Sequence, residues 1–319
     1  MDINISLVDR LIAAIRMLGS DFINIRRAGI KNWWSAFLFK YGFVQKTRFK
    51  TLDREYQIGT EEDYNNFWKE SSLYLANNYK IKHESGKLTV YLSSDYPEYY
   101  NKGTIMLTYG DEDMRSDAIR QVRDIFYNKE YSFMSPQGKV VVDIGANIGD
   151  TALFFVLRGA KKVYSVEAMP RLYDLLVQNV KLNKVNNVVA INAVATTIEK
   201  DFKLPELNMW AGDIQETKKH FVTVKPISLE DIEKMYPIND ALLKVDIEGG
   251  EYTLIKNTKI ETLRKFGEIV IEYHYGYKDL VHKLKQAGFR VTHTAPTKTV
   301  NKALLNPIMY AGFIVAIKD

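Results

Sequence analysis

The segment Lys139-Val-Val-Val-Asp-Ile-Gly-Ala-Asn-Ile-Gly-Asp150 narrows the choice of fold more than any other part of the chain. Its apolar run, closed by Asp143, predicts a short strand buried on both faces. Gly145 and Gly149 bracket a tight turn, and Thr151 to Leu157 continues with helical spacing. Strand, glycine turn and helix in that order make a cofactor loop at the carboxyl end of a parallel sheet.

The side chains in the turn restrict the ligand. A dinucleotide fingerprint starting at Gly145 needs two more glycines, but Asn147 and Asp150 stand in those places. A side chain at the second position blocks close approach of backbone to pyrophosphate. Asp143 and Asp150 would also repel a diphosphate, and no lysine follows the glycines as in a triphosphate-binding loop. The loop suits a ligand with a positive centre and no phosphate, and S-adenosyl-L-methionine is such a ligand. Asp143 would meet its ammonium through water or backbone, and amides at the helix start its carboxylate. Glu167 lies 22 positions after Gly145, where an acid can accept both ribose hydroxyls. Met169 and Val194, at the ends of the next two expected strands, would sandwich the adenine. The expected cofactor site is therefore Asp143, Gly145, Ala146, Asn147, Gly149, Asp150, Glu167, Ala168, Met169, Ala193, Val194 and Asp246.

Downstream, strand and helix patterns alternate. Strands are expected at Lys162–Glu167, Val188–Val194, Ala241–Glu248, Glu268–His274, Phe289–Thr294 and Phe313–Ile317, with an added one at Phe221–Val224. Helices are expected at Arg171–Leu182, Leu229–Met235, Glu251–Lys256 and Lys278–Ala287. The irregular stretch from Thr196 to Lys218 reads as a hairpin or lid. The fold class is α/β, a doubly wound sheet with helices on both faces.

The N-terminal part has another character. Helices are expected at Ser6–Leu18, with Gly19 as the stop, at the aromatic-dense Trp33–Phe39, and at Glu61–Asn77. Leu88–Leu92 and Ile105–Tyr109 alternate as an antiparallel pair, and Asp117 would cap a helix from Ala118 to Asn128. A mixed α+β region over 1–112 is expected for substrate recognition or oligomerisation, followed by a catalytic domain over 113–319.

Composition sets outer limits. The 319 residues are 46% hydrophobic and 26% charged, as in a globular protein with ample core. The absence of cysteine excludes disulfides and thiolate metal sites. A net charge of +5 without a long basic block allows nucleic acid as a partner but does not favour it. Asp2 and Asp9 flank an N-terminal segment unlike a secretory leader. No apolar run approaches the ~20 residues that span a bilayer. A cytoplasmic protein without a membrane span is expected, with a homodimer through the N-terminal region left open.

A second constellation follows the fourth strand. Lys244, Asp246 and Glu248 alternate, and so share a strand face, with Glu251 opening the helix after Gly249-Gly250. Glu272 and His274 alternate on the fifth strand. Adjacent parallel strands would bring them to one crevice. Asp246, Glu248, Glu272 and His274 are the candidate catalytic groups, with His274 or a carboxylate as general base for a hydroxyl acceptor. No metal is assigned; a divalent ion on Asp246, Glu248 and Glu272 is the alternative.

Five segments together resemble the FkbM family of S-adenosylmethionine-dependent methyltransferases. They are Val142-Asp-Ile-Gly-Ala-Asn-Ile-Gly149, Val166-Glu-Ala-Met-Pro170, Ile227-Ser-Leu-Glu-Asp231, Leu243-Lys-Val-Asp-Ile-Glu-Gly-Gly-Glu251 and Ile271-Glu-Tyr-His274. The resemblance runs from about Arg115 to Ile317 and implies a Rossmann-like class I sheet of seven strands, the last antiparallel. It also implies methyl transfer, commonly to a hydroxyl of a sugar or other small molecule. A tRNA or RNA methyltransferase and a cofactor-binding assembly module without turnover are the competing readings. Asn306-Pro-Ile-Met-Tyr310 resembles the Asn/Asp-Pro-Pro-Tyr signature of enzymes that methylate amino groups of nucleic acids. That signature belongs after the fourth strand, so the segment is expected to be a turn.

Overall fold

In a computed structural model of the chain, the described residues are 6–27, 30–51, 55–60, 62–64, 67–68, 81–92, 103–110, 114–205, 221–300 and 308–318. They group into two compact units, one built mainly from Tyr131–Asp319 and the other from Ile15–Ser93 with Gly103–Glu130.

The first unit is organised by a sheet of seven strands: β1 Val140–Ile144, β2 Lys162–Glu167, β3 Val188–Asn192, β4 Ala241–Val245, β5 Phe266–Tyr273, β6 Phe289–His293 and β7 Ile308–Lys318. Their spatial order is β6-β7-β5-β4-β1-β2-β3, with Thr297–Val300 adding an eighth strand on β7. All neighbours pair in parallel except those of β7, which runs antiparallel to both β5 and β6. Strand order reverses between β1 and β4. In such a sheet, the crevice at the carboxyl ends of these two strands is where ligands bind.

The central strands are buried on both faces, as parallel strands covered by helices must be. Every residue of β4 is buried, including Lys244, and the side chains of Val142, Ile144, Leu243, Val245 and Ile269 lie in one core. The covering helices are α1 Asp150–Leu157, α2 Pro170–Leu182, α3 Leu229–Met235, α4 Glu251–Asn257, α5 Ile260–Leu263 and α6 Lys278–Gln286. Pro170 opens α2, where a missing N–H costs nothing. Ser228 and Asp231 form a reciprocal capping box on α3.

Several expected boundaries move. The fourth strand ends at Val245 rather than Glu248, because the chain turns out of the sheet and Glu248 adopts φ +52°. Asp246 and Glu248 therefore lie beyond the strand and do not continue its face from Lys244. The fifth strand likewise ends at Tyr273, one residue before His274. The third strand stops at Asn192, whose side-chain amide donates to the carbonyls of Glu167 and Ala168. Val194-Ala195 then pairs separately with Pro226-Ile227. Phe202–Pro205 pairs with Phe221–Val224 as the base of a hairpin, and the rest of the expected excursion, including Trp210 and Gly212, lies outside the described residues. Ile308–Tyr310 is strand rather than turn, since the Tyr310 amide donates to the His274 carbonyl; Asn306 and Pro307 lie outside the described residues.

Within the second unit, the helix Trp33–Lys40 packs with the hairpin Thr47–Lys50/Glu55–Ile58 around Ala36, Phe49, Ile58 and Phe67. Phe49 and Phe67 meet edge to face at 5.0 Å, a favoured aromatic geometry. In the aromatic-dense stretch Ala36 is buried and Trp33, Phe37 and Phe39 pack half-buried against this core, while Trp34 and Leu38 are exposed. Tyr64, Phe67 and Trp68 of the expected Glu61–Asn77 helix belong to the described residues; Leu73 and Leu75 do not. The expected antiparallel pair is joined by a third strand, Ile81–Glu84. Asp117 is not a cap. It lies inside the first turn of Arg115–Val122, 3.5 Å from Arg120, and the helix continues as a π-turn through Tyr127. The first helix runs through Gly19 to Arg27; Leu7, Leu11, Ile15 and Leu18 are exposed along it, whereas Ala13 and Ile25 are buried.

Candidate functional site

The loop after β1 is shaped mainly by its backbone. Gly145 has φ +78°, and a Cβ there would stand 1.8 Å from the carbonyl oxygen of Asp246. Only glycine lets this loop touch the chain leaving β4. Gly149, at φ +89°, lies against Leu176 of α2, and Asn147 adopts φ +48°. The amides of Gly145 and Ala146 donate to the Val166 carbonyl, which holds the turn against β2.

Glu167, at the end of β2, joins two loops. Its Oε2 accepts from the Asn147 amide and its Oε1 from the Met169 amide, both at 2.8 Å. Burial pushes its carboxyl upward, and these two amides oppose the shift. Each oxygen keeps a further lone pair for a ligand hydroxyl. The Ala193 amide donates to the Glu167 carbonyl, so Ala168, Met169, Ala193 and Val194 are drawn together at the β2 and β3 ends.

Beneath the loop lies Lys244, wholly buried and absent from the residues singled out as site candidates. Its ammonium donates to the carbonyls of Gly145 at 2.7 Å and Ile144 at 3.3 Å. It also stands 3.4 Å from Asp143 and 3.9 Å from Asp246. Burial works against its charge, but the carboxylates of Asp143, Asp246 and Asp150 prevail and raise its pKa. Asp143 is its register partner on β1 and accepts a 2.7 Å bond from the Thr151 hydroxyl. Burial pushes Asp150 up to about 7, against the pull of Lys244. Asp150 Oδ1 is buried without a hydrogen-bond partner, and Asp143 Oδ1 has only the Lys244 ammonium, at 3.4 Å. Such a loop fits a ligand that brings donors and positive charge, and does not fit a phosphate.

The second cluster consists of side chains from two loops. His274 is buried, and Asp246 and Glu248 reach solvent at 29% and 45% side-chain exposure. The histidine Nε2 stands 3.8 Å from Asp246 Oδ1 and 3.5 Å from Glu248 Oε2. Its Nδ1 is 2.8 Å from Oε1 of the fully buried Glu251, which also accepts from the His274 amide. The other Glu251 oxygen accepts from the Gly249 amide at 2.8 Å. Burial alone would lower the imidazole pKa, but the carboxylates of Glu251, Asp246 and Glu248 raise it to about 10. That balance of charges favours the protonated imidazole.

Asp246, Glu248 and His274 are thus gathered within 4.8 Å of one another, and Glu272, further back on β5, is not part of that group. Sequence reasoning passed over Lys244 and Glu251 as functional residues. Alternation marked Lys244, but an isolated lysine in an apolar strand also reads as an ordinary ion-pair partner. No local pattern links Glu251 to a histidine 23 residues away.

Residues 143–291 match the family model of the methyltransferase FkbM domain. Among curated proteins, the chain is 32% identical over 126 residues to protein arginine N-methyltransferase PRMT10 of Arabidopsis thaliana, covering 37% of this chain and 30% of the relative. It is 40% identical over 76 residues to a tRNA(Phe) (4-demethylwyosine(37)-C(7)) aminocarboxypropyltransferase of Methanocaldococcus jannaschii, covering 22% and 29%. The chain thus spans less than a third of either relative's length. Among solved structures, M. jannaschii TYW2 in complex with AdoMet aligns over 85% of each chain, with 17% identity and a TM-score of 0.35. Among the described residues, no helix is long and apolar enough to cross a membrane.

Proposed function

We propose that this chain is a methyltransferase that uses S-adenosyl-L-methionine and acts on a hydroxyl of a sugar or other small molecule. The observation that carries the reading is Glu167, held by two loop amides opposite a glycine turn whose buried acids are short of donors. The FkbM domain match over the same residues supports it.

When bound, S-adenosyl-L-methionine supplies an electrophilic methyl group for in-line displacement by the acceptor. The chain's own contribution is mostly positioning. Glu167 accepts the ribose hydroxyls through its remaining lone pairs. The Gly145–Gly149 turn and the residues at the β2 and β3 ends line the nucleoside. Lys244 holds the Gly145 carbonyl and Asp246 together, so donor and acceptor sites keep a fixed separation. The acceptor's proton leaves towards Asp246 and Glu248, the solvent-reaching carboxylates of the cluster; charged His274 orients them and does not take that proton.

Calorimetry with S-adenosyl-L-methionine tests the donor site. Micromolar binding is expected, weakened at least tenfold in Glu167→Ala, in line with the 1.5–3 kcal/mol or so of a hydrogen bond to a charged group. No binding at millimolar concentration would remove the reading and leave an assembly module. Labelled methyl transfer to a panel of sugars, tRNA and arginine peptides then tests the acceptor. The RNA arm is included because of the tRNA-acting relative and the +5 charge. Transfer to RNA, with retention that falls steeply with salt, would replace the small-molecule assignment.

A further inference from the structure

We propose that Asp246, Glu248 and His274 form a binding site for a hard divalent cation of the Mg2+/Mn2+ class. One ligand atom from each residue lies within 4.8 Å of the other two. Ligands in neighbouring positions around an octahedral ion stand about 3 Å apart, given metal–oxygen distances of about 2.1 Å. The observed 3.5 and 3.8 Å from His274 Nε2 to the two carboxylates are longer than that spacing by roughly half an ångström and a little more. A bound ion would draw Asp246 and Glu248, which both reach solvent, inward by that amount.

The histidine supplies the argument beyond proximity. Its side chain is only 5% exposed, yet Nε2 points at the two carboxylates without a hydrogen bond to either. Its other nitrogen is bound at 2.8 Å to Glu251, which is not one of the proposed ligands. Glu251 is itself pinned by the Gly249 and His274 amides. A histidine that donates Nδ1–H to a buried carboxylate presents an oriented, electron-rich Nε2, the usual support of a metal-bound imidazole.

Charge and access agree with this. Three carboxylates surround one imidazole, an excess of negative charge that a dication offsets. Asp246 turns one oxygen to Lys244 and the other to the histidine, so it is fixed from behind. Two oxygens and one nitrogen select against thiophilic ions, and the imidazole favours Mn2+ over Ca2+. Because Asp246 and Glu248 reach solvent, coordination positions stay open to water or to an acceptor oxygen. A cation there would acidify a hydroxyl whose proton passes to solvent, in place of the route to Asp246 and Glu248 that serves the ion-free chain, because those carboxylates then hold the ion. That use of the ion rests on the methyl-transfer reading; the site itself does not.

Electron paramagnetic resonance of Mn2+ added to the full-length, chelator-treated protein, without S-adenosyl-L-methionine, tests the site. One bound Mn2+ per chain is expected, in the micromolar range. Asp246→Asn and Glu248→Gln should each weaken it at least tenfold, and Glu251→Gln several-fold, by loosening the imidazole. Glu248 is exposed, so its variant should fold as the parent does, which circular dichroism checks. Absence of bound Mn2+ at millimolar concentration, or affinity unchanged in both Asp246→Asn and Glu248→Gln, would overturn the proposal. A chain that binds Mn2+ with this variant pattern but fails to bind S-adenosyl-L-methionine would keep the ion site and remove the methyl-transfer reading.

Discussion

The two halves of the crevice are made of different material. At the β1–β2 end, the turn from Gly145 to Gly149 is shaped by positive-φ glycines and by amides that donate to Val166 and Glu167. At the β4–β5 end, the cluster of Asp246, Glu248, Glu251 and His274 is held mainly by contacts between side chains from the loops after β4 and β5 and the start of α4, with two amides on Glu251. A backbone-built half tolerates changes in side-chain chemistry but not in the space the main chain needs. A half built from side chains has the reverse sensitivities, and it responds to pH and ions. Lys244 belongs to both, since its ammonium touches the glycine-loop carbonyls, Asp143 and Asp246.

Removing that shared cation should have the largest effect. Lys244→Met would leave Asp143 and Asp150 buried without their countercharge. Taking one partner from a buried pair costs about 3–5 kcal/mol. Urea unfolding should show a loss of that order, and Asp143→Asn in the same chain should recover part of it. A loss under about 1 kcal/mol would mean the halves are independent and Lys244 merely fills space.

The next effect separates the halves by pH. His274 titrates near 10 in the folded chain against 6.5 for an unperturbed histidine, so the folded state holds its proton more tightly. The stability this provides is complete below about pH 6.5 and is lost as pH rises towards 10. In chelator-treated protein, unfolding free energy should fall by a few kcal/mol between pH 6.5 and 10, and His274→Gln should flatten much of that slope. A flat wild-type profile would mean the imidazole is neutral near pH 7, and would restore it as a general base. Saturating Mn2+ should also reduce the slope, since the ion takes the place of the proton.

Legibility in the sequence follows the same division. The loop half is local: one strand, one turn and one helix contain Asp143 through Leu157, and the side chains at Asn147 and Asp150 already argued against phosphate. Strand β2 and helix α3 have the expected ends because buried runs and caps mark them. Errors arose where an apolar–polar alternation outlived the sheet. Asp246-Ile247-Glu248 keeps the period of two, yet Glu248 at φ +52° has left the strand. Asn192 stops β3 through bonds to two carbonyls of the neighbouring strand, a partner no period reveals. Ile81–Glu84 was missed because its middle residues, Lys82 and His83, are polar. The pairing of Glu251 with His274, and the separation of Glu272 from them, depend on the register of β4 and β5 and on two turns, which a linear pattern does not encode.

The smallest effect tests whether the loop half is truly a backbone site. Asn147 contributes its amide to Glu167, and it holds φ +48°, a conformation that glycine adopts without penalty. Asn147→Gly keeps the amide and relieves the strain, while it adds entropy to the unfolded chain; these opposing terms are each about 1 kcal/mol or less. Stability should therefore change by no more than about 1 kcal/mol, and affinity for S-adenosyl-L-methionine should stay within a few-fold of the parent, by thermal unfolding and calorimetry. A tenfold or larger loss of affinity would show that the Asn147 side chain itself meets the ligand. The contrast between a half made of main chain and a half made of side chains would then fail at the residue where it is most exposed to test.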